Sequence, residues 1–383
     1  MKNRINQELM RSTNKKLILE QIQRNAPISK PEIGLALGLS ATSVSTFINE
    51  LLAQRLIVSC GNAKSTGGRK SVLFRVNPEA HFIVGIDVQV DNLVGVLVDF
   101  QGDPMASREI PLAETDEWSV IGRIGRLIQS FVEEENVPME KLSVGIGIPG
   151  IVQNGTGIVE FAPNLDWKNV NLRQALALPC PVYIENEANA AAIGEKKFGL
   201  ARDASSLVYV SVGAGVGCGL LFNGKLYSGS THHAGEFGHM IVEPQGLLCR
   251  CGNAGCWEVY TSNTAALKRF AERTGRTSGS FEEFLQCFLA GDPAAGEVMN
   301  ETIRYLGIGI ANIANGLNPE MIVVGGKIAR AKEGIFNALL KTVKDNCLDK
   351  TFGGLTIEFS RMDNRASALG VAGMVIDSLY EFN

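Results

Sequence analysis

No run among the 383 residues approaches the ~20 consecutive apolar positions that a membrane-spanning helix needs. No apolar segment follows Met1-Lys2-Asn3-Arg4 either, so a cytoplasmic protein with neither leader nor membrane partner is expected. A disulfide framework is also missing. Five of the eight cysteines (Cys60, Cys180, Cys218, Cys287, Cys347) are scattered without pattern, as expected of thiols in a reduced compartment. Large net charge is absent too, at −4, while 45% apolar and 20% charged residues describe an ordinary globular protein. The length calls for two or three domains rather than one core.

The small net charge hides an asymmetry. Residues 1–78 hold twelve Lys/Arg against four Asp/Glu, a net +8, and the other 24 basic and 36 acidic residues leave −12 for the remainder. A basic module on an acidic body is the footprint of a nucleic-acid-binding arm, although charge alone also fits a solvated helix pair. In the arm, Leu17-Ile18-Leu19-Glu20-Gln21-Ile22 has helical spacing, and Asn25-Ala26-Pro27 ends that helix. Ser29 caps a second helix, with Pro31 in its first turn and Glu32 three residues on. Gly38-Leu39 turns the chain, and Ser40 caps a third helix through Val44, Phe47, Ile48, Leu51 and Leu52. Ile28–Ile48 resembles a helix-turn-helix whose second helix enters the major groove. Ser40, Thr42, Ser43, Ser45, Thr46 and Asn49 offer short donors and acceptors for operator DNA. Two strand-like runs, 56–59 and 73–76, flank Gly67-Gly68-Arg69-Lys70. They predict a hairpin wing whose Arg69 and Lys70 lie on phosphates or reach the minor groove. A winged helix-turn-helix over residues 1–78 is the expectation, with a plain three-helix bundle as the alternative.

The remaining three cysteines are close together. Cys249-Arg250-Cys251-Gly252-Asn253-Ala254-Gly255-Cys256 puts three thiols in eight residues with two glycines to bend the backbone, and His239 lies ten residues upstream. This spacing predicts a closed Cys3His zinc site, a structural knuckle near 239–256, against the alternative of thiols clustered by chance. Zn2+ is the one cofactor expected.

From Phe82 onward, strand-like runs at 83–87, 94–99, 144–150, 207–212 and 321–326 alternate with helices around 119–136, 188–198, 262–275 and 295–316, which implies α/β layers. Val212-Gly-Ala-Gly215-Val-Gly217-Cys-Gly219-Leu220 leads through Gly229 and His233-Ala-Gly235-Glu236-Phe-Gly238-His239 into the knuckle. That long, spaced run resembles the signature of the ROK family of sugar kinases and transcriptional repressors, and the resemblance covers about three quarters of the chain. It implies a two-lobed actin/hexokinase-like domain over 79–383, with a sugar cleft between the lobes. Ile184-Glu-Asn-Glu-Ala-Asn-Ala190 and the Gly-Gly-Arg wing look most like the family's xylose repressors.

Two departures from the kinases of that family stand out. Their first strand turn reads Asp-x-Gly-Gly-Thr and wraps nucleotide phosphates, whereas here Asp87 is followed by Val88-Gln89-Val90-Asp91. Branched side chains keep backbone amides from phosphate, and Asp91 repels it. Their Asn-Asp catalytic pair is Asn186-Glu187 here, which displaces the base by one methylene. Asn164, Asn186, Glu187, Glu236, His239 and Glu258 match the positions that hold sugar hydroxyls in the family, with His239 serving both zinc and sugar. The resemblance therefore implies a non-enzymatic repressor: operator DNA bound by a homodimer or tetramer, and released by xylose or another monosaccharide. The alternatives are an active ATP-dependent sugar kinase with a DNA-binding arm, and a DNA-binding protein whose body senses no small molecule.

Overall fold

The computed structural model describes residues 2–63, 71–153, 155–276 and 279–382. The amino-terminal elements are helices α1 (Lys2–Asn25), α2 (Lys30–Leu37) and α3 (Ala41–Ala53), with strands β1 (Ile28–Ser29), β2 (Ile57–Asn62) and β3 (Val72–Val76). Local chemistry sets their ends. Glu32 Oε2 accepts from the Ser29 amide at 2.8 Å, and Gly38 closes α2 in the left-handed region at φ 64°. Ser40 Oγ accepts from the Ser43 amide at 3.2 Å and starts α3. The three strands order β1-β3-β2, so β2 and β3 form the expected hairpin. Arg69 and Lys70 lie outside the described residues.

The first lobe contains β4 (Phe82–Val88), β5 (Asn92–Asp99), β6 (Pro104–Pro111), α4 (Glu117–Glu134), β7 (Leu142–Ile148), β8 (Ile151–Gln153), β9 (Ile158–Ala162), β10 (Trp167–Asn171), α5 (Leu172–Leu176), β11 (Val182–Asn186) and α6 (Glu187–Phe198). The second contains β12 (Ser206–Val212), β13 (Val216–Phe222), β14 (Lys225–Leu226), α7 (Glu258–Thr261), α8 (Asn263–Thr274), α9 (Phe281–Leu289), α10 (Pro293–Leu317), β15 (Met321–Gly325), α11 (Lys332–Asn346), α12 (Asp349–Gly353) and β16 (Thr356–Phe359). Helix α13 (Ala366–Leu379) then returns to the first lobe, against β4, β7 and α6.

The two main sheets repeat one plan. Their orders are β6-β5-β4-β7-β11 and β14-β13-β12-β15-β16, each with three antiparallel strands followed by two parallel ones. This is the duplicated α/β architecture of the actin/hexokinase fold. Glycine makes the returning helix fit: a Cβ on Gly85 of β4 would lie 2.0 Å from Ala368 O, and one on Gly370 of α13 would lie 1.7 Å from Ala190 O of α6. Backbone therefore packs on backbone, and α6 and α13 are locked to the first sheet.

The amino-terminal elements share that lobe's core. Ile18, Leu19 and Ile22 of α1 belong to one buried cluster with Phe100, Ile376 and Tyr380. Gln23 Nε2 donates to Gln101 O at 2.9 Å, Lys16 Nζ lies 3.3 Å from Glu381 Oε1, and Lys15 Nζ sits 4.2 Å from the Phe382 ring centre. Among the described residues no single helix is long and apolar enough to cross a membrane.

Candidate functional site

A cleft of about 680 Å³ opens between the lobes, lined from one side by Asp87–Asp91, Asn164 and Asn186–Glu187 and from the other by Ser211–Cys218, Glu236, His239 and Glu258. All six sequence-predicted sugar contacts line it. They come together because strand ends and loops of both sheets converge there: Asn186 ends β11, Glu187 starts α6, and Gly213–Gly215 turn β12 into β13.

Each contact is held differently. Asn164 and Glu258 meet over Gly215, where a Cβ would lie 3.2 Å from Asn164 Nδ2 and 2.8 Å from Glu258 Oε2. That glycine lets a side chain from each lobe approach the same backbone. Asn186 is also the cap of α6: Oδ1 accepts from the Ala188 and Asn189 amides at 2.9 and 3.0 Å, and Nδ2 donates to Gly150 O at 3.0 Å. One amide hydrogen remains for a ligand. Glu187 is half-buried, yet its Oε2 is shut from solvent without a hydrogen-bond partner.

The cleft floor is unusually poor at stabilising negative charge. Burial, and then the charge of Asp87, push the Glu187 carboxyl up to about 8. Burial likewise lifts Asp87, 4% exposed, to about 6, against the hydrogen bond donated by Gln89 Nε2 at 2.7 Å. Glu236 is raised by burial and drawn back by His239 and His233.

Beside the cleft, His239, Cys249, Cys251 and Cys256 place one ligand atom each within 4.8 Å of one another. Gly252 and Gly255, at φ 96° and 83°, make the bends that the sequence predicted. Trp257, fully buried, donates Nε1 to Tyr305 O at 2.8 Å and anchors the knuckle on α10. His239 turns Nδ1 toward Cys249 Sγ at 3.7 Å and Nε2 toward Glu236 Oε2 at 4.0 Å. Glu258 joins the two regions: Oε1 is 3.1 Å from Cys249 Sγ, while Oε2 faces Gly215 and the cleft. Three thiols and an imidazole in this grouping could hold a metal ion.

On α3, Thr42, Thr46 and Asn49 are exposed and Ser43 and Ser45 half-buried. Several of their hydroxyls already have partners. Ser40 Oγ and Ser43 Oγ lie 2.9 Å apart, Lys30 Nζ donates to Ser45 Oγ at 3.0 Å, and Thr46 Oγ1 donates to Thr42 O at 3.0 Å. Sequence reasoning did not single out Lys327, which lines the cleft directly after the Gly325-Gly326 turn, or Ser367 at the start of α13, whose buried Oγ faces Asp87. Only the glycine pair ahead of Lys327 signalled it.

Comparison with known proteins agrees with both parts. The ROK family profile matches residues 83–378, and one for winged helix-turn-helix DNA-binding domains matches residues 11–58. The chain is 34% identical to the xylose repressor of Caldicellulosiruptor bescii over 394 residues, covering 98% of both. A crystal structure of a ROK family transcriptional regulator, a homologue of the Escherichia coli MLC protein, superposes with TM-score 0.83 at 27% identity, covering 97% of both chains. A ROK family glucokinase from Streptomyces griseus, in complex with glucose and AMPPNP, superposes with TM-score 0.70 at 27% identity over 76% of this chain and 98% of its own.

Proposed function

The chain belongs to the ROK family, and we propose that it is a transcriptional repressor that leaves its operator when a monosaccharide, xylose first among candidates, occupies the interlobe cleft. One observation carries this reading: a winged helix-turn-helix shares a hydrophobic core with the lobe that forms half of a cleft lined by amides and carboxylates. Vicinal hydroxyls both donate and accept, and Asn164, Asn186, Glu236 and Glu258 offer complementary groups from both lobes. A ligand that binds the closed cleft better than the open one shifts the whole chain toward closure, and DNA affinity follows only through that inequality. Recognition of a two-fold operator by a homodimer suits a single helix-turn-helix per chain, and Thr42, Asn49, Arg69 and Lys70 are its proposed contacts.

Binding without phosphoryl transfer is supported by the floor of the cleft. With burial pushing its carboxyl to about 8, Glu187 is mostly protonated at neutral pH, a form that can donate a hydrogen bond to a sugar oxygen but cannot take a proton from one. Asp91, where the family's kinases carry a glycine-rich phosphate turn, adds charge that repels phosphate. The cysteine cluster suits zinc: sulfur bonds of ~2.3 Å in a tetrahedron place ligand atoms about 3.8 Å apart, and Cys251 Sγ and Cys256 Sγ stand 3.6 Å apart. Bound there, zinc would fix the ring of His239 so that Nε2 points to the sugar beside Glu236.

The test is direct. DNA selected by the full chain from a random pool is labelled, and its release is followed by fluorescence anisotropy against a panel of pentoses, hexoses and amino sugars. The proposal expects one neutral sugar to release it. Sugar phosphorylation with ATP and magnesium, or no release by any sugar, would sink it.

A further inference from the structure

We propose that the cleft continues past the monosaccharide site onto an apolar platform, the Phe161 ring with Ile151, and that this platform takes the second pyranose ring of a β-linked disaccharide. The inference rests on the sugar-binding reading of the cleft and narrows the class of sugar it takes.

The platform is built by an irregularity in a small sheet. Strand β9 is the middle one of β10-β9-β8. Between Phe161 and Val159 it gains one residue, Glu160, over its partner β8, where Ile151 and Val152 are adjacent. That bulge lets Val159 and Ala162, three positions apart, both be fully buried in the core of the first lobe, and it leaves Phe161 on the opposite face. There Phe161 stands in register with Ile151, and both line the cleft. Neither side chain belongs to a buried cluster, and Phe161 is 47% exposed. The ring therefore adds nothing to the core, while an aromatic on a cleft wall is a ready contact for a ligand.

Polar contacts border this ring. Gly150, just before Ile151, offers its O to Asn186 Nδ2 at 3.0 Å, and a Cβ on it would lie 2.4 Å from Phe161 O. Ala162-Pro163 then leads to Asn164, the residue that meets Glu258 over Gly215. Leu226 and His232 line the cleft from the second lobe, with His232 Nδ1 held 3.2 Å from Ser228 Oγ. An apolar face flanked by two amides fits an amphipathic ring. A pyranose sets axial C–H groups against the negative face of an aromatic and keeps equatorial hydroxyls at its edge. A wholly apolar ligand would bury those amides unmet. The first ring occupies the hydrogen-bonding set between Asn186 and Glu258. An equatorial β-1,4 link keeps the second ring extended and flat, so that it lies on Phe161.

Full-length wild type, Phe161→Ala and Phe161→Tyr are titrated by calorimetry with D-xylose, xylobiose, D-glucose and cellobiose. In the wild type at least one disaccharide should bind about fivefold or more tighter than its own monosaccharide. Phe161→Ala should weaken that disaccharide about 3- to 10-fold and change the monosaccharide by less than about twofold. Phe161→Tyr, which keeps the ring, should retain the gain. Disaccharides that bind the wild type no better than their monosaccharides overturn the platform, as does a Phe161→Ala protein that weakens both alike; a bound monosaccharide would still uphold the cleft reading. If no sugar binds any of the three proteins, the effector reading falls and the platform with it.

Discussion

Asp87 and Glu187 lie together at the cleft floor, and each holds its proton to a higher pH than usual, about 6 and about 8 against ordinary values of 3.8 and 4.5. Between the ordinary and the raised values the folded chain keeps protons that the unfolded chain has released. The contribution of these two groups to stability is therefore fully present below about pH 4 and is lost as pH rises toward 8. Glu187→Gln, neutral at every pH, should flatten most of this slope above pH 6 and be the more stable protein at pH 8. Urea midpoints at pH 5, 6.5 and 8 measure it; parallel wild-type and variant profiles would show that Glu187 titrates normally. Asn164 and Asn186 differ in the same cleft. Asn164→Ala should weaken sugar about 5- to 150-fold through an unmet hydrogen bond and leave stability within about 0.5 kcal/mol. Asn186→Ala should also cost about 1 kcal/mol of stability, because it uncaps α6. Thermal melts beside sugar titrations separate binding from capping.

At the scale of elements, the knuckle was the most legible part of the site, since its ligands lie close in sequence and two glycines mark the bends. Cys251→Ser should lose the metal, because serine is a poor ligand at neutral pH, and should weaken the sugar response by releasing His239. Metal content and sugar titration of the same preparation check this; a metal-free wild type, or a full sugar response in the metal-free variant, would reject it. Helices α2 and α3 were equally readable, because Ser29/Glu32 and Ser40 are local caps. Helix α13 was not. Ala366-Ser-Ala-Leu-Gly-Val-Ala-Gly373 is buried on every side and so has no polar face to set a period. Its small residues fit only because α6 and β4 bring their backbones against it.

For the whole molecule, the decisive arrangement is the docking of α1 on the first lobe. Among the described residues its polar contacts include Lys16 with Glu381, Gln23 with Gln101, and Lys15 over Phe382, beside the shared apolar cluster. Lys16→Ala/Phe382→Ala should keep sugar-free DNA affinity within about threefold but shrink the sugar effect, whose ordinary range is about 5- to 150-fold. Anisotropy with and without D-xylose gives both numbers. A doubly substituted protein that responds as fully as wild type would mean the signal takes another route.

By itself the sequence determined what neighbours along the chain can specify: helix caps, the hairpin, the cysteine knuckle, the basic arm and the glycine-rich signature that marked the family. It could place the six cleft residues only through that family likeness, because they come from both lobes and span residues 164–258. Tertiary structure alone decided three things. It joined Asp91 to Lys327, it turned Asn186 into a cap as well as a cleft residue, and it raised Glu187 by burying it beside Asp87. The physical reason is common to all three. Distance through space, burial and the field of neighbouring charges depend on how separate segments pack, and no local pattern of residues encodes them.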